Sequence, residues 1–181
     1  RSFVNRWSPM PNDRCEVILY TTDHDASFGS LSIEQATKVI DLWADRTNQL
    51  AARADVEYVL VFENRGAEVG ATISHPHGQI YAYPYLPSTM ATQLRQSAQY
   101  FEVHGQQLLG SLLEFELTAG DRIMYQDESW VAYVPFAARW PYEIQIHPKL
   151  QERTLTYWHT AFDPVIKNIT HNPLGTTGIL T

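Results

Sequence analysis

Along residues 33–53, the positions Ile33, Ala36, Ile40, Trp43, Thr47 and Leu50 recur at steps of three and four, with Val39 and Leu42 beside them. That spacing gathers them on one face of a helix. Ser32 and Gln35 stand where a capping box would start it. Other apolar residues come in short β-branched and aromatic runs. "RCEVILY" (14–20) and "VEYVLVFEN" (56–64) read as strands, and "HPHGQIYAY" (75–83) reads as extended. "TTDHDASFGSL" (21–31) is turn chemistry, and "RGAEVGATIS" (65–74) is a loop carrying Gly66 and Gly70. A second helix begins near Ser88 and passes Phe101, and a shorter one covers Leu108 to Leu117. "DRIMYQDESWVAYVPF" (121–136) predicts a hairpin turning at Asp127–Glu128, and "PYEIQIHP" (141–148) a further strand. Helices alternate with strands, and hairpins are present. The expected class is α+β, with a mainly antiparallel sheet and packed helices.

Composition narrows the function classes. The chain has 181 residues, 44% hydrophobic and 18% charged, which suits a buried core. Its net charge of -7 argues against general nucleic-acid binding. The single cysteine, Cys15, excludes an intramolecular disulfide and favours a cytoplasmic home. No apolar run has the length of a membrane span, so neither nucleic acid nor membrane is an expected partner.

The stretch "SHPHGQIYAYPYLP" (74–87) carries the candidate chemistry. In an extended segment, residues two apart face the same way. His75, His77 and Gln79 then present two imidazoles and an amide to one side. Pro76 stiffens the link between the histidines, and Gly78 permits close approach of backbone or ligand. The alternative is two surface histidines in a loop. The glycine-bearing loop just before them exposes N–H groups suited to a phosphate. Asn64, Thr72 and Gln79 add neutral donors. A histidine beside such a cradle can serve as base, metal ligand or nucleophile.

"FENRGAEVG…HPHGQIYAYPYLP" resembles the core of galactose-1-phosphate uridylyltransferases, in the histidine-triad superfamily. "ESWVAYVPFAARWPYEIQIHPK" (128–149) resembles the first strands of that family's second, duplicated half. "RCEVILYTTDHDASFGSLS" (14–32) is similar to the stretch before its first long helix, and "FVNRW" (3–7) to its nucleotide-contacting strand. The resemblance implies a histidine-triad-like repeat over residues 1–118, then a truncated second repeat over 119–181. It implies transfer of UMP from UDP-glucose to galactose 1-phosphate by double displacement. His77 would be the nucleophile. Gln79, Thr72 and the Gly70–Ala71 backbone would hold the phosphoryl oxygens. Phe3 and Asn5 would contact uracil and ribose, with Phe3 equally readable as a plain core aromatic.

The resemblance also implies a structural zinc, with His24 and His75 as two ligands. A tetrahedral site needs four. The family's other two are cysteines upstream, absent from this sequence, and Cys15 reads as a small buried residue. His24 is also readable as a solvated turn histidine. Gln93 stands near where some members place a glutamate for a second metal, which weakens that site here. Family chains are longer, so the expectation is an incomplete or split-chain member with a separate N-terminal chain, and family members pair as dimers. Rival readings are a histidine-triad nucleotide hydrolase, a related nucleotidyltransferase, and a non-catalytic nucleotide- or partner-binding chain. The hydrolases usually have a third histidine where Gln79 stands, which counts against the first.

Overall fold

The computed structural model describes residues 1–66, 69, 71 and 73–149. They form two compact units that divide between Tyr85 and Leu86. Mixed helices and antiparallel strands make up both, as the residue pattern predicts.

The first unit contains β1 (Ser2–Val4), β2 (Cys15–Leu19), α1 (Ile33–Ala51), β3 (Tyr58–Phe62) and β4 (His77–Tyr83). Its sheet runs β1-β2-β4-β3, with every neighbouring pair antiparallel. In β4, Gly78, Ile80 and Ala82 are buried while His77, Gln79, Tyr81 and Tyr83 are half-buried. The buried set faces α1, whose Ala36, Val39, Ile40, Trp43 and Leu50 are themselves buried. Burying an aliphatic side chain such as Ile18, Ile80 or Ile40 stabilises by about 1.5–3 kcal/mol relative to exposure. Glu16, on the α1 side of β2, is only 5% exposed. It survives there because Arg46 of α1 grips both carboxylate oxygens, at 2.8 and 2.6 Å.

The start of α1 is the capping box read from sequence. Ser32 Oγ accepts from the Gln35 N–H at 3.3 Å, and Gln35 Oε1 accepts from the Ser32 N–H at 3.0 Å. Ile33 departs from the expected core face and is 52% exposed. It is the first helical residue, and the buried stripe begins one turn later at Ala36.

The second unit contains α2 (Ser88–His104), α3 (Leu108–Ala119), β5 (Ile123–Gln126), β6 (Trp130–Tyr133) and β7 (Gln145–Pro148). Its sheet runs β5-β6-β7, also antiparallel, around the buried β6. Both helices belong to the same compact unit as this second sheet. The hairpin turns where expected, with Asp127 Oδ1 accepting from the Ser129 and Trp130 N–H groups at 2.8 and 2.7 Å. Buried Glu116 at the end of α3 accepts from Arg122 Nε at 2.8 Å and from the Phe136 N–H at 2.7 Å. It thereby ties the helix to both ends of the hairpin. The strand expected over 141–148 is shorter. Tyr142 has φ of 64°, and Glu143 Oε2 accepts the Arg139 and Trp140 N–H groups. That loop closure leaves only Gln145–Pro148 free to pair with β6. Among the described residues, no helix is long and apolar enough to cross a membrane.

Candidate active site

The alternation in β4 leaves one sheet face uncovered by α1, and that face carries His77 and Gln79. His77 is the first residue of the strand and Gln79 the third. The register puts Phe3 of β1 opposite Val17, Val17 opposite Gln79, and Gln79 opposite Phe62. Phe3, Val17, Gln79 and Phe62 therefore form one row across four strands. Phe3 is 49% exposed there, so it is not a buried core aromatic. Asn5 follows β1, with its N–H on the Cys15 carbonyl at 2.8 Å and its Oδ1 accepting the Trp7 N–H at 2.9 Å.

Among the described residues, one hydrogen bond holds the His77 ring. Its Nδ1 lies 2.8 Å from the backbone carbonyl of His75. A carbonyl only accepts, so Nδ1 carries the proton and donates. In the neutral ring, Nε2 is then left with an in-plane lone pair. This is the arrangement a nucleophile needs, with one nitrogen anchored and the other unprotonated.

His75 sits just before β4, and its ring turns to the 21–24 segment. Its Nε2 donates to the Thr21 carbonyl at 3.0 Å, and its Nδ1 lies 2.8 Å from His24 Nδ1. Two imidazole nitrogens thus converge across 51 residues of sequence. A ligating histidine whose other nitrogen donates to a carbonyl is the arrangement that orients metal ligands. Two nitrogens are half of a tetrahedral set. Among the described residues, no group of three or more His, Cys, Asp or Glu side chains converges for a metal. Cys15 is fully buried in β2.

Of the expected phosphate cradle, Asn64 is exposed just after β3, and Ala71 closes back on Gly66 through its N–H at 3.2 Å. Gly70 and Thr72 lie outside the described residues.

Three residues escaped the sequence reading. Tyr20, beyond the end of β2, is buried edge-on against Phe28 and Trp43 at 5.4 and 5.8 Å. Burial, followed by the Glu63 carboxylate, pushes its hydroxyl far above the ordinary phenol range. That hydroxyl has no partner at full hydrogen-bond geometry among the described residues. Glu63 follows β3, and burial pushes its carboxyl up while Tyr20, Arg65 and His77 pull it down. Tyr81 is the third, two residues past Gln79 on the open face. The period-two pattern of β4 was the available signal for Tyr81 alone.

Tyr20 explains Gly78. A Cβ at position 78 would collide with the Tyr20 hydroxyl, and would sit 3.1 Å from Tyr20 Cζ and 3.3 Å from the Phe62 carbonyl oxygen. Gly78→Ala is expected to destabilise by about 1–3 kcal/mol, the usual cost of overpacking. Tyr20→Phe removes the colliding oxygen, so the double variant should recover part of that loss in chemical denaturation. Gly78→Ala losing equal stability with and without the Tyr20→Phe change would count against this contact.

Comparison with known proteins gives the family of the chain. Residues 8–87 match the family model described as galactose-1-phosphate uridyl transferase, N-terminal domain, and residues 93–169 match its C-terminal domain. The galactose-1-phosphate uridylyltransferase of Streptomyces lividans is 49% identical over 150 residues, covering 81% of this chain and 42% of that protein. Its counterpart in Thermotoga maritima is 40% identical over 141 residues, covering 78% and 44%. A solved uridylyltransferase superposes with a TM-score of 0.72 at 32% identity, covering 78% of this chain and 45% of that one. The chain thus spans less than half the length of each of these three.

Proposed function

Since the chain belongs to the galactose-1-phosphate uridylyltransferase family, we propose that it carries the UMP-transfer site, with His77 as the group that holds UMP between UDP-glucose and galactose 1-phosphate. The supporting observation is the 2.8 Å contact from His77 Nδ1 to the His75 carbonyl. The Nε2 lone pair attacks the α-phosphorus of UDP-glucose. A P–N bond forms as the bond from the α-phosphorus to the bridging oxygen breaks, and glucose 1-phosphate leaves with that electron pair. No proton need move, because Nδ1–H stays on the carbonyl throughout. The positive charge gained by the ring is spread toward that carbonyl dipole. A phosphate oxygen of galactose 1-phosphate then attacks the same phosphorus. The P–N bond breaks, UDP-galactose forms, and His77 returns to its starting state. Gln79 stands one alternation along the strand, on the same face, to donate to the phosphoryl oxygens. Phe3, in the Gln79 row, offers an apolar surface for the base, and Asn5 a polar group for the ribose.

A single turnover with UDP-glucose labelled in the uridine, followed by peptide mapping, tests this reading. Label is expected on His77 and should discharge on adding galactose 1-phosphate. Label released directly to water would favour a hydrolase, and nucleotide binding without any label would favour a non-catalytic binder.

In the same reading, His24 and His75 supply half of a structural zinc site. Zinc there would brace the 21–24 turn against the residue whose carbonyl orients His77. Its role is rigidity, and no chemical step passes through it. His75→Asn is expected to lower the zinc content of the purified protein, measured by elemental analysis, while label still reaches His77. Unchanged zinc content in that variant would remove His75 from the ligand set.

A further inference from the structure

We infer that Tyr81 is a positioning residue for Gln79, holding the amide so that its NH₂ group faces the phosphoryl site beside His77. This rests on the reading that His77 carries UMP. Gln79 and Tyr81 are consecutive residues on the open face of β4, and the Tyr81 hydroxyl lies 3.3 Å from Gln79 Oε1. An amide has an accepting end and a donating end. With the phenol donating to the carbonyl end, both N–H groups of Nε2 are left for phosphoryl oxygens. The reversed amide would turn its carbonyl oxygen toward those oxygens, an arrangement of like partial charges. Among the described residues, the Tyr81 hydroxyl is the hydrogen-bond partner that distinguishes the two orientations of the Gln79 amide.

The Tyr81 ring is itself well placed to do this. It meets Phe62 edge to face at 4.8 Å and Tyr83 at 6.2 Å. Phe62 lies directly opposite Gln79 on β3, so the ring is wedged next to the amide it orients. Burial, followed by Cys15, raises the Tyr81 pKa, which keeps the phenol a donor. Tyr81 has no need to touch substrate, and its effect passes entirely through Gln79.

A double-mutant comparison separates this role from simple packing. Tyr81→Phe keeps the ring and removes the donor. It is expected to slow His77 labelling by roughly five- to tenfold, the worth of one ordinary hydrogen bond, with KM for UDP-glucose little changed. Tyr81→Phe combined with Gln79→Ala should label no more slowly than Gln79→Ala alone, since the residue to be oriented is gone. A second readout is independent of activity. The side-chain amide signals of Gln79, identified by their loss in Gln79→Ala, should shift in the nuclear magnetic resonance spectrum of Tyr81→Phe. Losses that multiply in the double variant, or amide signals that stay in place, would overturn the inference. If the wild type takes no label, the transfer reading fails by itself, and the amide signals alone decide whether Tyr81 holds Gln79.

Discussion

His77→Gly is expected to take no uridylyl label and to lose UMP transfer by a factor on the order of 10⁴ or more, as when a covalent nucleophile is removed. The reason is positional as well as chemical. His77 opens β4 on the face that α1 leaves uncovered, and its proton is held on the His75 carbonyl 2.8 Å away. His75 has its own ring tied to Thr21 and His24, and that ring faces away from this role. Gln79 is not a nucleophile. Neither of these two neighbours can take over the bond to phosphorus, and the raised pKa of Tyr81 keeps its phenol protonated and a poor nucleophile, so the label should be lost. The variant should fold normally, because His77 is only half-buried and, among the described residues, the hydrogen bond of its ring is to backbone. Circular dichroism and thermal unfolding check that point. Label retained in folded His77→Gly, or mapped to His75, would overturn the assignment.

Gln79→Ala is expected to slow labelling by about 10²–10³-fold, the usual loss when one donor to a developing oxyanion is removed. Charge on the phosphoryl oxygens shifts as the P–N bond forms, so a donor aimed there acts more strongly on the transition state than on bound UDP-glucose. The loss should therefore fall mainly on kcat, with KM for UDP-glucose changed far less. Single-turnover rates across a range of UDP-glucose concentrations separate the two. A rise in KM with an unchanged saturating rate would make Gln79 a binding residue only. Gln79 is half-buried at the surface of the sheet, so its truncation leaves no buried cavity to confuse the reading.

Much of this was legible in local pattern. The 3.6-residue period of α1, its Ser32–Gln35 capping box and the period-two alternation of His77, Gln79 and Tyr81 are all written within one element each. Such features depend on neighbours a few residues away, and the backbone periods of helix and strand dictate which side chains share a face. The family resemblance also lay in contiguous motifs, so the sequence alone was enough to point to uridylyl chemistry.

Only the tertiary structure decided what meets across the chain. Phe3 reaches the Gln79 row through two strand registers, Phe3 to Val17 and Val17 to Gln79. A shift of one residue in either register would have sent Phe3 to the other face. The convergence of His24 on His75 needs the turn after β2 to fold back over the start of β4, which neither segment states by itself. Gly78 reads in sequence as general permissiveness, yet its neighbour is one specific hydroxyl, that of Tyr20. Ile33 fits the helical stripe by spacing but lies beyond the part of α1 that the sheet covers. Strand register, the length of sheet beneath a helix and the direction of a turn are set by the summed packing of distant segments. Local spacing carries no record of those sums, and so the elements and the face shared by His77 and Gln79 were readable from sequence while their partners across the chain were not.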